Sequence, residues 1–279
     1  MTSELEQVQT PAARRAGLRS FGRLSWRVAR SDRVSFFVVL AGTVVLWHLF
    51  VVVFHIKSYV VPKPLAVAQE IVNNWSLLLD NTKATAVEVV AGFILAAVGG
   101  VALGACMFYF RWAQKILSPP IVAFQNVPKV ALAPLFVVWF GTALLPRVLV
   151  AFVIAFFPVL INTMVGLRAT KEVSLELIQS MGASRFQTFR KVQFPSALPS
   201  VFAGLRVATT LVVIGAVVGE YIAANKGLGH LQLQASTNLD APLLFASVIM
   251  MAVLGLITYQ IVALAEYLLV PWADADRSR

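Results

Sequence analysis

Six long apolar stretches, set apart by short polar or basic segments, organise the chain: about 34–54, 84–110, 119–140, 147–167, 204–221 and 242–270. Crossing about 30 Å of hydrocarbon takes about 20 apolar residues in a helix, so each stretch predicts a transmembrane helix. The third contains Pro128 and Pro134 and cannot be a straight helix, and the fourth carries Pro158 inside it. Residues 60–83 are mildly amphipathic and predict a surface helix that leads into the second span. Within that span Gly92, Ala96, Gly100 and Gly104 recur every four residues. On a helix they form one small-residue stripe along which another backbone can approach closely. Gly215 and Gly219 give the fifth span a shorter version.

Composition supports the membrane reading. Of 279 residues, 59% are hydrophobic and 13% charged, with a mean hydropathy of +0.80. Soluble domains sit nearer 45–50% apolar and about 25% charged. The expected fold class is therefore all-α, a polytopic membrane protein of six transmembrane helices. The net charge of +10 is read loop by loop, because no polar domain of useful size exists to bind nucleic acid. The lone Cys106 lies in an apolar run and rules out a disulfide within the chain. The N-terminal polar stretch is long for a signal peptide and no small-x-small site follows it, so the first apolar segment reads as a retained anchor.

Lysine and arginine placement sets the expected orientation. With the N-terminus inside, residues 1–33, the 111–118 loop, the 165–206 region and the C-terminal tail hold 17 basic residues. The outside segments hold five: Lys57, Lys63, Lys83, Arg147 and Lys226. Both termini are expected in the cytoplasm. Residues 14–33, basic with Leu, Phe and Trp interleaved, read as a flank lying on anionic lipid. The domain plan is a basic segment 1–33, a first span with its flank 34–59, a transmembrane unit 60–270 and a tail 271–279.

No catalytic chemistry stands out. The chain has no G-x-x-x-x-G-K-[ST], and no glycine is followed by lysine, so a phosphate-binding loop is absent. His48, His55 and His230 are scattered and form no metal-spaced cluster. No cofactor is expected, and the chain is read as non-enzymatic. Charges in or beside spans carry more information, because burying one is costly without a partner. Glu88, Glu220 and Glu266 fall near span ends, while Lys129 follows Pro128 within the proline-broken stretch QNVPKVALAP at 125–134. Non-helical backbone at membrane depth is tolerated only where it is buried in protein or lines a cavity. Gln125, Asn126 and Lys129, with Glu220, are the candidates for lining a translocation path.

The loop after the fourth span is polar and basic: ELIQSMGASRFQTFRKVQFPSALP at 176–199. Thr170 followed by Lys171 and Glu172 predicts a helix start, with Thr170 as N-cap. That helix would run to Met181 and stop at Gly182, a residue suited to a left-handed C-cap. Ser184 and Gln187 have capping-box spacing and predict a second short helix through about Lys191, ended by Pro195 and Pro199. The outcome expected is a two-helix hairpin shaped to enter a partner's groove.

The order Glu176-Leu177-Ile178, three residues, Gly182, nine residues, then Val192-Gln193-Phe194-Pro195 resembles the E-A-A-x3-G-x9-I-x-L-P loop of ABC importer permeases, the inner-membrane components of binding-protein-dependent transport systems. Leu177 and Ile178 replace the two alanines, and Val-Gln-Phe replaces I-x-L. LAPLFVVWFG at 132–141, FFPVLINT at 156–163, GLR at 204–206 and VVGEYIAANKGLG at 217–229 resemble the nitrate/taurine/sulfonate branch. That branch also contains permeases assigned to pyrimidine thiamine precursors and to riboflavin, and NVPKVALAPLF leans toward those members.

The resemblance implies a type I ABC importer permease-like fold in a bacterial inner membrane, and a second permease copy forming a homodimer with the path between the two. It also implies separate ABC ATPase subunits that hydrolyse ATP beneath and a substrate-binding protein outside. Residues 165–203 then form the coupling loop, with Glu176, Leu177, Ile178, Gly182, Ala183, Ser184, Arg185 and Pro195 as ATPase-coupling residues. The cargo is expected to be a small polar or anionic solute, sulfonate-like or a vitamin precursor. The alternative is a self-sufficient secondary transporter driven by protons or sodium through Glu88, Glu220 or Lys129. A membrane-embedded enzyme has no catalytic constellation to rest on.

Overall fold

A computed structural model describes residues 38–272, which divide at Leu65 into two units. In the first, α1 runs Val38–Val53 and exposes large apolar side chains such as Val39, Leu46 and Val53 along its length. The expected span 34–54 is described only from Val38, and residues 1–37 and 273–279 lie outside the described residues, as do the basic N-terminal flank and all of the expected C-terminal tail beyond Trp272.

Every regular element among the described residues of the second unit is a helix. Helix α2 (Pro64–Asn73) straddles the boundary between the units, and its proline occupies the first helical position, where a missing N–H costs nothing. The next helix, α3 (Trp75–Tyr109), is 35 residues long, about 52 Å at 1.5 Å per residue. It therefore absorbs the second half of the expected surface helix, since no proline or glycine interrupts residues 75–83. Phe110 alone separates α3 from α4 (Arg111–Asn126), so the 111–118 segment is helix and not the loop expected.

The third expected span is broken. After α4 the chain turns through a 3-10 turn at Lys129–Leu132 into α5 (Ala133–Phe140), with a 94° bend between the two pieces. The cause is local: Pro128 disfavours helical backbone in the residue before it, and Val127 is extended at φ −73°, ψ 130°. Gly141, at φ +76°, ends α5.

Then come α6 (Leu144–Arg168), α7 (Glu172–Ser180), α8 (Arg185–Thr188), α9 (Phe194–Ala223), α10 (Leu228–Thr237) and α11 (Ala241–Leu269). Among the described residues four helical stretches are long and apolar enough to cross a membrane, and the bent α4–α5 pair makes up to five. Pro195 and Pro199 do not terminate a short helix as expected. A π turn, Phe189–Gln193, joins α8 to α9, and Arg185–Ala223 runs as one 39-residue helix. The wide turn closes with Phe194 N–H donating to the Phe189 carbonyl. Pro195 then falls in the first turn of α9, where it is tolerated. The ten-residue α10, which buries Leu228, Leu231 and Ala235, has no counterpart among the expected elements.

The core is where α6 meets α3 and α9, built on Val89, Ala96, Ala151, Ala155, Val159, Ala208, Val212 and Ala216. The glycine stripes are the reason these helices approach so closely. A Cβ added to Gly92 would lie 2.8 Å from Ala151 Cβ, and one on Gly100 would lie 2.8 Å from Val159 Cβ. At Gly215 it would stand 2.5 Å from the Ala151 Cα, a backbone atom that cannot swing aside. Gly215→Ala should therefore cost about 1–3 kcal/mol, in the range of core overpacking. In detergent it should lower the melting temperature, whereas Gly42→Ala, whose Cβ meets nothing within 4 Å, should leave it unchanged.

Candidate functional site

The segment between α6 and α9 is the most unusual surface in the second unit. No residue of α7 is buried. Thr170 is not its N-cap: Lys171 takes that position without a side-chain cap, and the Thr170 hydroxyl donates back to the Leu167 carbonyl at 3.2 Å. The hydroxyl therefore closes the end of α6 instead of opening α7. At the other end Gly182 sits at φ +78°. Its N–H donates to Gln179 O at 2.9 Å, and Ala183 N–H donates to Ile178 O at 3.2 Å, the paired bonds of a Schellman ending.

Two residues on, the capping box is formed in both directions. Ser184 Oγ accepts from Gln187 N–H at 3.3 Å, and Gln187 Oε1 accepts from Ser184 N–H at 2.8 Å. The turn between α7 and α8 is thus fixed from both sides, and α8 is continuous with α9.

The exposed face of this lever is apolar. Val173, Leu177 and Met181 recur every four residues and are 76%, 64% and 78% exposed, with Phe186 beyond them at 60%. Glu176, Gly182, Ser184 and Arg185 are also exposed, while Ile178, Ala183 and Pro195 are half-buried. Behind the lever a cleft of about 750 Å³ lies between α7 and the start of α9, with Leu177, Ile178, Met181, Lys191, Pro195 and Trp272 among its walls. The eight residues expected to act together are therefore on one continuous substructure. The i, i+4, i+8 stripe that includes Val173 and Met181 was readable in the sequence and was overlooked.

Three of the four pathway candidates are together at the break in α4–α5. Gln125 and Asn126 are exposed, and Lys129 is half-exposed. The Asn126 amide donates to the Val122 carbonyl at 3.0 Å. Lys129 Nζ donates to the Gln125 carbonyl at 3.4 Å and lies 5.1 Å from the centroid of the Phe157 ring on α6.

Glu220 departs from the expectation. It is 1% exposed, and its carboxylate accepts from the Thr85 hydroxyl at 2.6 Å and from Gly229 N–H at 2.5 Å. Thr85 in turn accepts from Leu228 N–H at 2.8 Å, and Asn81 Oδ1 accepts from Gly227 N–H at 2.8 Å. This places Glu220 in a closed clasp that ties the start of α10 to α3, with no open wall around it. Gly227, at φ +129°, has no room for a Cβ against that carboxylate.

Two further ion pairs went unread in the sequence. Arg147 at the start of α6 pairs with the fully buried Glu88 on α3. Arg206 on α9 pairs with Glu266 on α11 at 2.6 Å and also faces the Tyr259 ring. Among the described residues no group of three or more His, Cys, Asp or Glu is placed to hold a metal.

Residues 89–270 match the family described as binding-protein-dependent transport system inner membrane component. The chain is 36% identical over 217 residues to the formylaminopyrimidine transport permease protein ThiX of Halalkalibacterium halodurans, covering 77% of this chain and 87% of that protein. It is 37% identical over 257 residues to the riboflavin transport system permease protein RibX of Chloroflexus aurantiacus, covering 91% and 94%. To the taurine transport system permease protein TauC of Escherichia coli it is 26% identical, over 90% of this chain and 94% of that one. Among solved structures, an inward-facing form of the MetNI methionine ABC transporter aligns with a TM-score of 0.54 at 21% identity, covering 68% of this chain and 96% of that chain.

Proposed function

The chain belongs to the family of binding-protein-dependent transport system inner membrane components, the permeases of ABC importers, and on that footing we propose that it forms the translocation path of an ATP-driven importer and couples it to separate ATPase subunits through α7 and α8. Its own part is conformational: the lever biases the spans between inward- and outward-open arrangements, and ATP is hydrolysed elsewhere. The observation that carries this reading is the apolar stripe Val173–Leu177–Met181 on a helix with no buried residue. An amphipathic helix displayed in this way suits a partner's groove. Glu176, Leu177, Ile178, Gly182, Ala183, Ser184, Arg185 and Pro195 form the coupling element, and the fixed turn at Gly182–Ser184 lets it transmit force as one piece into α9.

In the working assembly two copies pair as a homodimer, two ATPase subunits dock on the levers, and a substrate-binding protein delivers cargo to the opposite face. The first apolar segment, the bent α4–α5 pair and the four long helical stretches make six spans in an inner membrane, with both termini in the cytoplasm. Residues 60–270 are the transmembrane unit, 165–203 its coupling loop. Relatives named for formylaminopyrimidine, riboflavin and taurine transport point to a small polar or anionic cargo, with Gln125, Asn126 and Lys129 on the path and Glu220 holding its surroundings in place.

The test is uptake into proteoliposomes. The full assembly with ATP inside should accumulate the binding protein's ligand, and this chain alone under a proton or sodium gradient should not. Uptake by the chain alone would establish the secondary-transporter reading instead.

A further inference from the structure

Two of the arginines on the core helices have carboxylate partners: Arg147 has Glu88 and Arg206 has Glu266. Lys129 has none. Among the described residues its ammonium meets a backbone carbonyl of its own segment and the face of Phe157. Neither contact neutralises it, because a carbonyl and an aromatic ring attract a cation through a dipole and a quadrupole and carry no net charge. The buried acidic residues of the neighbouring helices are committed elsewhere, Glu88 to Arg147, Glu220 to Thr85 and Gly229, and Glu266 to Arg206.

Depth makes this placement informative. Phe157 lies close to the middle of α6, a 25-residue helix long and apolar enough to cross a membrane, so the ammonium above it is near mid-height of that helix. A bare cation there is costly if lipid covers it. The backbone beside it, Val127–Pro128, is non-helical, which is also tolerated at depth only against protein or water. Gln125 and Asn126 add exposed carboxamides to the same face. A positive charge with low-dielectric walls and no counter-ion focuses a field that gathers anions and repels cations.

We propose that Lys129 is a charge-selecting residue of the pathway, admitting neutral polar and anionic solutes and turning cations away. This rests on the importer reading, and it assigns to the membrane subunit a share of the selectivity that would otherwise lie wholly in the binding protein. Gln125 and Asn126 offer amide donors to polar groups of the same solute, and Phe157 parks the ammonium when no anion is present.

The experiment uses the chain assembled with its ATPase subunits in lipid nanodiscs, with Cys106→Ser removing the native thiol. A thiol is introduced by Asn126→Cys, three residues from Lys129 at the same break. Its modification rate is measured with two methanethiosulfonate reagents of similar size, one ending in sulfonate and one in trimethylammonium, each normalised to a free thiol in solution. The anionic reagent should react about tenfold faster, the lower end of what a focused field produces. Lys129→Gln should bring the ratio close to one, and Lys129→Arg should keep it.

A ratio that ignores Lys129→Gln, or one that favours the cationic reagent, overturns the proposal, as does a thiol that neither reagent reaches. ATP-driven uptake by the unsubstituted assembly is scored separately. Normal uptake without charge preference rejects the filter alone, and charge preference without uptake rejects the importer reading alone.

Discussion

Leu177→Asp should abolish ATP-driven uptake and release the ATPase subunits while leaving the chain folded in the membrane. Leu177 is exposed and α7 has no buried residue, so the substitution removes nothing from the chain's own core. Its effect on stability should fall within about 0.5 kcal/mol, as for surface changes away from special features. Docked in a partner's groove, a leucine contributes about 1.5–3 kcal/mol through burial, and an unpaired carboxylate there adds a penalty on top. A combined loss of about 3 kcal/mol or more corresponds to at least about a hundredfold in affinity.

The measurements are co-purification of the ATPase subunits and uptake in proteoliposomes. Leu177→Ile, which keeps the apolar volume, should retain both. If Leu177→Asp transported normally, the exposed stripe would not be the docking face, and the half-buried side of α7 toward Ile178 would have to be.

Local signals in the lever were legible and long-range ones were not. Gly182 and the Ser184–Gln187 box act within a turn of themselves, so their spacing alone announced the φ of +78° and the reciprocal bonds. The stripe Gly92–Ala96–Gly100–Gly104 was equally readable, because a four-residue period fixes a helix face whatever packs there. That it is α6 that fills the stripe, through Ala151, Val159 and Thr163, is a tertiary fact with no local trace.

The prolines misled for a physical reason. A wide turn at Phe189–Gln193 changes the bonding register just ahead of Pro195, which then falls in the first turn of α9, and Pro199 is accommodated inside that helix. Pro128 was read rightly as a break, whereas the 94° angle it produces depends on what α5 packs against. Arg147 was counted as an outside-loop charge because a sequence shows position and not partner. Glu88, 59 residues earlier, is what it serves.

That ion pair sets the other large expectation. Glu88→Ala should destabilise the chain by about 3–5 kcal/mol, the range for leaving one member of a buried pair behind, because Arg147 keeps its guanidinium in a site whose counter-charge is gone. Arg147→Ala should cost a similar amount, since Glu88 is fully buried and cannot turn to water. The double substitution should cost markedly less than the sum of the two. That shortfall measures the coupling, and a strictly additive result would mean the two side chains do not stabilise each other.

Cys106, the lone cysteine and only half-buried on the same helix as Glu88, supplies the readout: its reactivity toward a thiol probe on heating in detergent reports when α3 leaves the core. The pair lies at the end of the bundle opposite the lever, beside the contact of Gly219 with Arg147, so its loss should loosen α3, α6 and α9 together. A Glu88→Ala chain that still assembles with its ATPase subunits should therefore hydrolyse ATP with weakened coupling to uptake, because a lever moves the far end of a span only while the span stays part of one packed body.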